Sequence, residues 1–207
     1  MTVLLPAASS CTPSALPATL MTARLSLRPL HAMDEALYCA WFTDPVLMAH
    51  IGPPLDAAQA ARAFHASLRM TGLQLPTAWL WIASARDDGT TAGLVGLVGL
   101  VTRDGLPEIG SVIVPSQQGK GFAYEALSRV RDEGFVRLGL PAQYGCQLPS
   151  NARSIGLMLK LGFRQVPGRP DRIHWQLDRG TWRDGLGRAP SGMDTARPVS
   201  TGETLGE

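Results

Sequence analysis

Cysteine, lysine and long apolar runs are all scarce in this chain, and each shortage closes off a class of function. The cysteines, Cys11, Cys39 and Cys146, are far apart and have no C-x-x-C or His-paired spacing. Neither a disulfide framework nor a bound metal is expected, and they read as small, mostly buried hydrophobes in a reducing cytoplasm. Lys120 and Lys160 are the only lysines, and the arginines are scattered. With a net charge of +2, that scatter offers no stripe for a nucleic acid and no polybasic segment for a membrane surface. No apolar run approaches the roughly 18 residues of a membrane helix. The stretch VLLPAA near the start lacks a basic flank and contains a proline, so it makes a poor signal peptide.

What is present suits one domain, since 207 residues bury a core without staples. Residues 1–22 are rich in Ala, Ser, Thr and Pro without a period and are expected to be a flexible extension, with Met21 a candidate start. Residues 23–178 hold the patterned segments. Residues 179–207, mostly Gly, Pro, Ser, Thr and Asp, are expected to be a disordered tail.

The most informative stretch is Val112 to Leu127, VIVPSQQGKGFAYEAL. A β-branched run stops at Pro115, a glycine-bearing turn follows, and a helical period begins at Phe122 through Ala126, Leu127, Val130 and Gly134. A helix entered from a glycine turn presents unpaired N–H groups and the positive end of its dipole, which suits a phosphate or pyrophosphate. A Walker A loop would need Gly at position 114 and Ser or Thr at 121, where the chain has Val114 and Gly121. A dinucleotide fingerprint from Gly119 would need Gly or Ala at 124, where Tyr124 stands.

The spacing that does match is Q-x-x-G-x-A, carried by Gln118, Gly121 and Ala123 behind an apolar strand. It resembles the acyl-CoA pyrophosphate loop of the GNAT superfamily of N-acetyltransferases, and QGKGFAYEAL looks like the RimJ/RimL ribosomal-protein branch. The hexapeptide alone equally describes a helix entered through a tight turn. A second segment, NARSIGLMLKLGF from Asn151 to Phe163, opens on a capping-type Asn and closes on Gly162 with an apolar follower. It resembles the second acyl-CoA motif of the same family, and the two motifs together carry the likeness over Ala23 to Leu177.

The rest of the chain alternates in step. Arg24 to Leu30 reads as a half-buried strand; Asp34 to Phe42 and Ala57 to Met70 read as helices, the latter capped by Asp56. Trp79 to Ala85, Leu94 to Val101 and Glu108 to Val114 form an antiparallel meander, with turns at Arg86 to Thr90 and at Arg103-Asp104-Gly105. After the central helix, Gln143 to Leu148 and Ile173 to Leu177 read as strands. Strand period puts Glu108, Gly110, Val112 and Val114 on one face and Ile109, Ser111 and Ile113 on the other. The resemblance implies a mixed α/β fold: a mostly antiparallel twisted sheet, helices on both faces, and a parallel strand pair that splays after Val114 and Gln143.

It also implies acetyl-CoA as acyl donor and a primary amine, a protein N-terminus or a small molecule, as acceptor, attacked directly in a ternary complex. No metal, nucleic acid or membrane is expected, and the protein is a monomer or homodimer. An aliphatic amine titrates near pH 10 and needs a base. Glu108, at the start of the strand that leads to the loop, is the candidate; an exposed strand-end carboxylate is the plain alternative. Backbone N–H groups of Val112 and Val114 are expected to meet the pantetheine arm, with one near Val112 at the oxyanion. Ile113, Gln118, Gly119, Lys120, Gly121, Phe122, Ala123 and Asn151 complete the implied donor site. Many relatives place a Tyr acid where this chain has Met158, which donates no proton; Ser154 or a water is the substitute. Trp41 and Phe42 are expected to line the acceptor site. A reading of another class also fits: an acyl-CoA-binding sensor or interaction module with little or no turnover.

Overall fold

The computed structural model describes residues 17–187 apart from Gln74 and residues 87–92. All but Arg86 of the turn expected at Arg86 to Thr90, most of the expected N-terminal extension and residues 188–207 of the expected tail lie outside those residues.

Eight strands form one sheet. They are β1 (Leu20–Met21), β2 (Leu25–Pro29), β3 (Ala78–Ala85), β4 (Leu94–Arg103), β5 (Leu106–Ile113), β6 (Ala142–Gln147), β7 (Arg164–Val166) and β8 (Ile173–Asp178). Their spatial order is β1-β2-β3-β4-β5-β6-β8-β7. Every pairing is antiparallel except that of β5 with β6. The helices are α1 (Glu35–Thr43), α2 (Pro45–Met48), α3 (Ala57–Thr71), α4 (Phe122–Val136), α5 (Ala152–Lys160) and α6 (Arg179–Gly187).

Strand alternation sorts the side chains into two cores. Trp79, Trp81 and Ala83 of β3 join Ile109 and Ile113 of β5 beneath Ala126, Leu127 and Val130 of α4. Ala78, Leu80 and Ile82 join Val112 beneath Tyr38 and Trp41 of α1 and Phe64 of α3. Each large side chain so buried contributes about 1.5–3 kcal/mol. The helices start where the sequence caps them: Asp56 accepts from the Gln59 N–H at 2.7 Å and Gln59 returns a bond to the Asp56 N–H at 2.9 Å. The turn from β4 to β5 is a two-residue hairpin, Asp104 at φ 49° and Gly105 at φ 78°.

Two boundaries differ from expectation. Leu20 is buried in the first core and Trp81 Nε1–H donates to the Ala18 carbonyl at 2.9 Å, so ordered structure begins before residue 22. The segment from Arg179 is a helix rather than a disordered tail. Trp182 stacks on Phe135 of α4 with centroids 5.0 Å apart and donates from Nε1 to Asp132 at 2.8 Å, a tertiary contact that composition does not advertise. The cysteines also differ: Cys39 is half-buried and Cys146 exposed, because each lies on a face left open to solvent or cavity. Cys11 lies outside the described residues.

β4 carries an extra residue at Val95: Ala83 faces Gly96 while Ser84 faces Leu94. The bulge presses Gly96 onto β5, where a Cβ would lie 2.0 Å from the Val112 carbonyl oxygen. Gly110, on β5 itself, has open space at its Cβ. Gly96→Ala is therefore expected to destabilise by about 1–3 kcal/mol, whereas Gly110→Ala is near neutral, both read from urea midpoints. Equal midpoints for the two variants would show that the close approach at Gly96 does not constrain the sheet.

Candidate functional site

β5 and β6 meet at a single register position, Glu108 beside Tyr144, although β5 continues to Ile113. The closing pair of the hairpin, Arg103 with Leu106, sets the alternation along β5. Leu106, Glu108, Gly110 and Val112 turn their backbone groups to β4, and Ile109, Ser111 and Ile113 turn theirs to β6. Val114 N–H donates to Val95 O at 2.9 Å. The expectation for Val112 and Val114 is thus corrected: their N–H groups serve the sheet, and Ser111 and Ile113 face the gap. The splay also begins earlier than expected, after Glu108 rather than after Val114. Side-chain alternation was legible in the sequence, but which edge each N–H faces depends on the hairpin's closing pair.

The gap leads to the glycine turn. Pro115–Gln117 form a short 3-10 turn, Gly119 and Gly121 take positive φ of 77° and 81°, and α4 starts at Phe122 with no side chain capping it. Its first N–H groups are left for a ligand. Gln118 donates from Nε2 to Ile113 O at 3.0 Å and accepts from Arg153 at 3.1 Å, tying the turn to both the gap and α5. Arg24, which sequence reasoning missed, clasps the turn from outside. It pairs with Glu125 at 2.7 Å, donates to Lys120 O at 3.1 Å and lies 4.8 Å from the Phe122 ring centroid. Burial acts to raise the Glu125 carboxyl, but the bonds from Thr22 and Arg24 outweigh it and hold the carboxyl below its ordinary value. No spacing rule links residue 24 with residue 125.

A cavity of about 700 Å³ opens over this turn, lined by Ile113, Gln118, Gly119, Gly121, Phe122 and Ala123. Its cations are Arg153 and Lys160. Lys120 is not in its lining; the ammonium donates to Gln117 at 3.0 Å.

A second cavity, about 500 Å³, lies on the α1/α3 side of the sheet and reaches Glu108. Ser111, Asn151 and Ser154 line both cavities, so the two meet beside the gap. Phe42 lines the second cavity, whereas Trp41 is buried in the core beneath α1 and does not. Tyr38, one helical turn before Phe42 and stacked on it at 4.3 Å, takes the place expected of Trp41. Glu108 is partly buried, and burial pushes its carboxyl above the ordinary range against the opposing pull of Arg103, His174 and Arg172. Arg103 Nε sits 3.3 Å from its Oε2. Partial desolvation on its cavity side, with Glu108 adding to it, likewise pushes up the thiol of Cys146, which is otherwise exposed.

On α5, Asn151 has both ends of its amide engaged: Oδ1 accepts from Ser154 N–H at 3.1 Å and Nδ2 donates to His50 O at 3.1 Å. It ties the loop after α2 to the start of α5. Gln147 gives all its neighbours partners in one amide orientation. Its oxygen then accepts from Trp175 Nε1 and from Ile155 N–H, both at 3.1 Å, and its NH₂ donates to Ser154 Oγ. That leaves the Ser154 proton free to point into the shared space. Met158 is buried against Gly145 and supplies no proton.

Residues 24–164 match the family model described as an acetyltransferase (GNAT) domain. An uncharacterized N-acetyltransferase of Bacillus subtilis (strain 168), YoaA, is 30% identical over 154 residues, which cover 70% of this chain and 82% of that protein. A crystal structure of an acetyltransferase from Agrobacterium tumefaciens aligns with TM-score 0.65 at 24% identity, over 77% of this chain and 93% of the other. Another structure, spermidine N-acetyltransferase from Vibrio cholerae in complex with CoA and spermine, aligns with TM-score 0.64 at 19% identity, over 78% and 99%.

The Glu108 environment has a consequence for stability. Because its carboxyl binds a proton more tightly in the folded chain than in the unfolded one, the folded state is favoured while Glu108 is protonated. That contribution is whole below the unfolded value of about 4.3 and is lost as pH rises through the raised folded value. Wild type is therefore expected to lose stability relative to Glu108→Gln as pH rises from about 4 to 7. A difference that stays constant over this range, measured by urea unfolding, would contradict the burial argument.

Proposed function

The chain belongs to the GNAT acetyltransferase family, and on that footing we propose that it transfers the acetyl group of acetyl-CoA to a primary amine by direct attack in a ternary complex. The observation that carries the reading is the splayed β5/β6 pair, whose gap joins an uncapped helix start to a cavity containing a raised carboxyl. The pyrophosphate lies at Gln118 to Ala123, with Arg153 and Lys160 supplying charge; the pantetheine arm runs through the gap along Ser111 and Ile113. Glu108, directly or through a water, takes the proton of the ammonium. The amine nitrogen then bonds to the thioester carbon, and the developing oxyanion is met by a backbone N–H at the gap. The C–S bond breaks as the nitrogen, cationic after the attack, gives up its second proton, which passes through the Ser154 hydroxyl or a water to the departing thiolate sulfur, leaving a neutral amide and a free thiol. A thiol's pKa of about 8.5 makes that departure undemanding without a Tyr at position 158.

The run QGKGFAYEAL favours a RimJ/RimL-like role, with a protein N-terminal amine or a small amine as acceptor. The protein works in the cytoplasm as a monomer or homodimer. The raised Glu108 beside a cavity favours turnover over a passive acyl-CoA sensor.

Thiol release from acetyl-CoA over a panel of amines tests the proposal. Turnover is expected in wild type, with kcat/KM lowered about a hundredfold in Glu108→Gln and its pH dependence changed. Gly121→Asp, which adds bulk and a negative charge at a positive-φ turn, is expected to abolish acetyl-CoA binding. An unaltered pH profile in Glu108→Gln removes that residue as the base, and retained acetyl-CoA affinity in Gly121→Asp removes the turn as the pyrophosphate site.

A further inference from the structure

Resting on that reading, we propose that the acceptor carries an anionic oxyacid group, a carboxylate or a phosphate, in addition to its reacting amine, and that Arg172 receives this group. The charged side chains lining the acceptor cavity are Arg103, Glu108 and Arg172, two cations and one anion. Arg103 is committed to Glu108 at 3.3 Å. Arg172, half-buried at the entrance to β8, has no carboxylate within 4.0 Å among the described residues. Its one side-chain bond there is a long one, 3.4 Å from Nη1 to Ile51 O. A guanidinium has five N–H donors, so most of its capacity is unspent.

The sheet aims this capacity at the reacting end. Tyr144 of β6 is paired with Glu108, and Cys146, two residues on and on the same face, is paired with His174 of β8. Arg172 precedes His174 by two residues and lines the same cavity as Glu108 and Cys146. The cavity thus has a base on β5 and, two strands away, a cation with no carboxylate in ion-pair contact among the described residues. A guanidinium in a walled, partly desolvated space gains most from an oxyacid, which accepts two parallel N–H bonds. A polyamine would instead bring extra positive charge to a lining that already has an excess of it. Arg172 is thereby a specificity residue, acting on the acceptor's tail rather than on the transferred group.

The test uses full-length protein and amines matched in skeleton: amino acids against their carboxamides, aminoalkylphosphonates against the corresponding alcohols, peptides with an acidic or an amide second residue, and spermidine. We expect kcat/KM for the anionic member to exceed that of its neutral partner by about tenfold to a hundredfold. The ratio is expected to collapse toward one in Arg172→Gln and to return in part in Arg172→Lys, in variants whose Tm with acetyl-CoA shows them folded. The carboxylate and phosphonate arms separate the two sources of the charge. Equal rates within pairs, a preference for spermidine, or an unchanged ratio in Arg172→Gln would overturn the proposal. A Tm rise with acetyl-CoA but no turnover of any amine would also overturn it, leaving donor binding intact. No Tm rise would overturn the donor reading and this one with it.

Discussion

A β-strand has two hydrogen-bonding edges, and the architecture turns on β5 having a paired edge toward β4 and, beyond Glu108, an open one toward β6. An unmet buried N–H costs about 1–3 kcal/mol, so a sheet does not part without compensation. Here the paired edge is reinforced: the bulge at Val95 and the missing side chain at Gly96 bring β4 hard against Val112. The open edge is partly answered by Gln118, whose amide reaches back to the Ile113 carbonyl. What remains exposed to the gap is a short row of backbone groups between two cavities.

Several contacts distant in sequence hold that opening in shape. Arg24 fastens the glycine turn and the first turn of α4 to the start of β2 through Glu125 and the Lys120 carbonyl. Asn151 holds the His50 backbone where the two cavities meet. Gln147 orders Ser154 from behind. The side proposed for the donor is thus built from backbone and short loops, and the side proposed for the acceptor from side chains on helices and on the far strands.

That division explains what could be read in the sequence. The glycine turn and the Asn151 to Phe163 segment are local patterns, and α3, α4 and α5 lie within a few residues of where capping and period put them. Glu108 was locatable because strand alternation is local too. Arg24, Tyr38, Arg153 and Arg172 were not, because each earns its place through a partner tens of residues away. The Trp41 expectation failed for a related reason: period says which residues share a helix face, not whether that face meets a core or a cavity. The splay's starting point and the edge toward which Val112 points its N–H needed the hairpin closure at Arg103 and Leu106. β1, β7 and α6 carry too little pattern of their own and exist through what they pack against.

Acetyl-CoA is proposed to occupy the gap along the open edge of β5, and amide hydrogen exchange resolved by residue, with and without acetyl-CoA, reads that edge. The amides of Val112 and Val114, bonded to β4, are expected to exchange slowly in both states, and those of Ser111 and Ile113 to exchange faster in the free protein and to slow when acetyl-CoA binds. Binding that left Ser111 and Ile113 unchanged would place the ligand elsewhere and contradict the account.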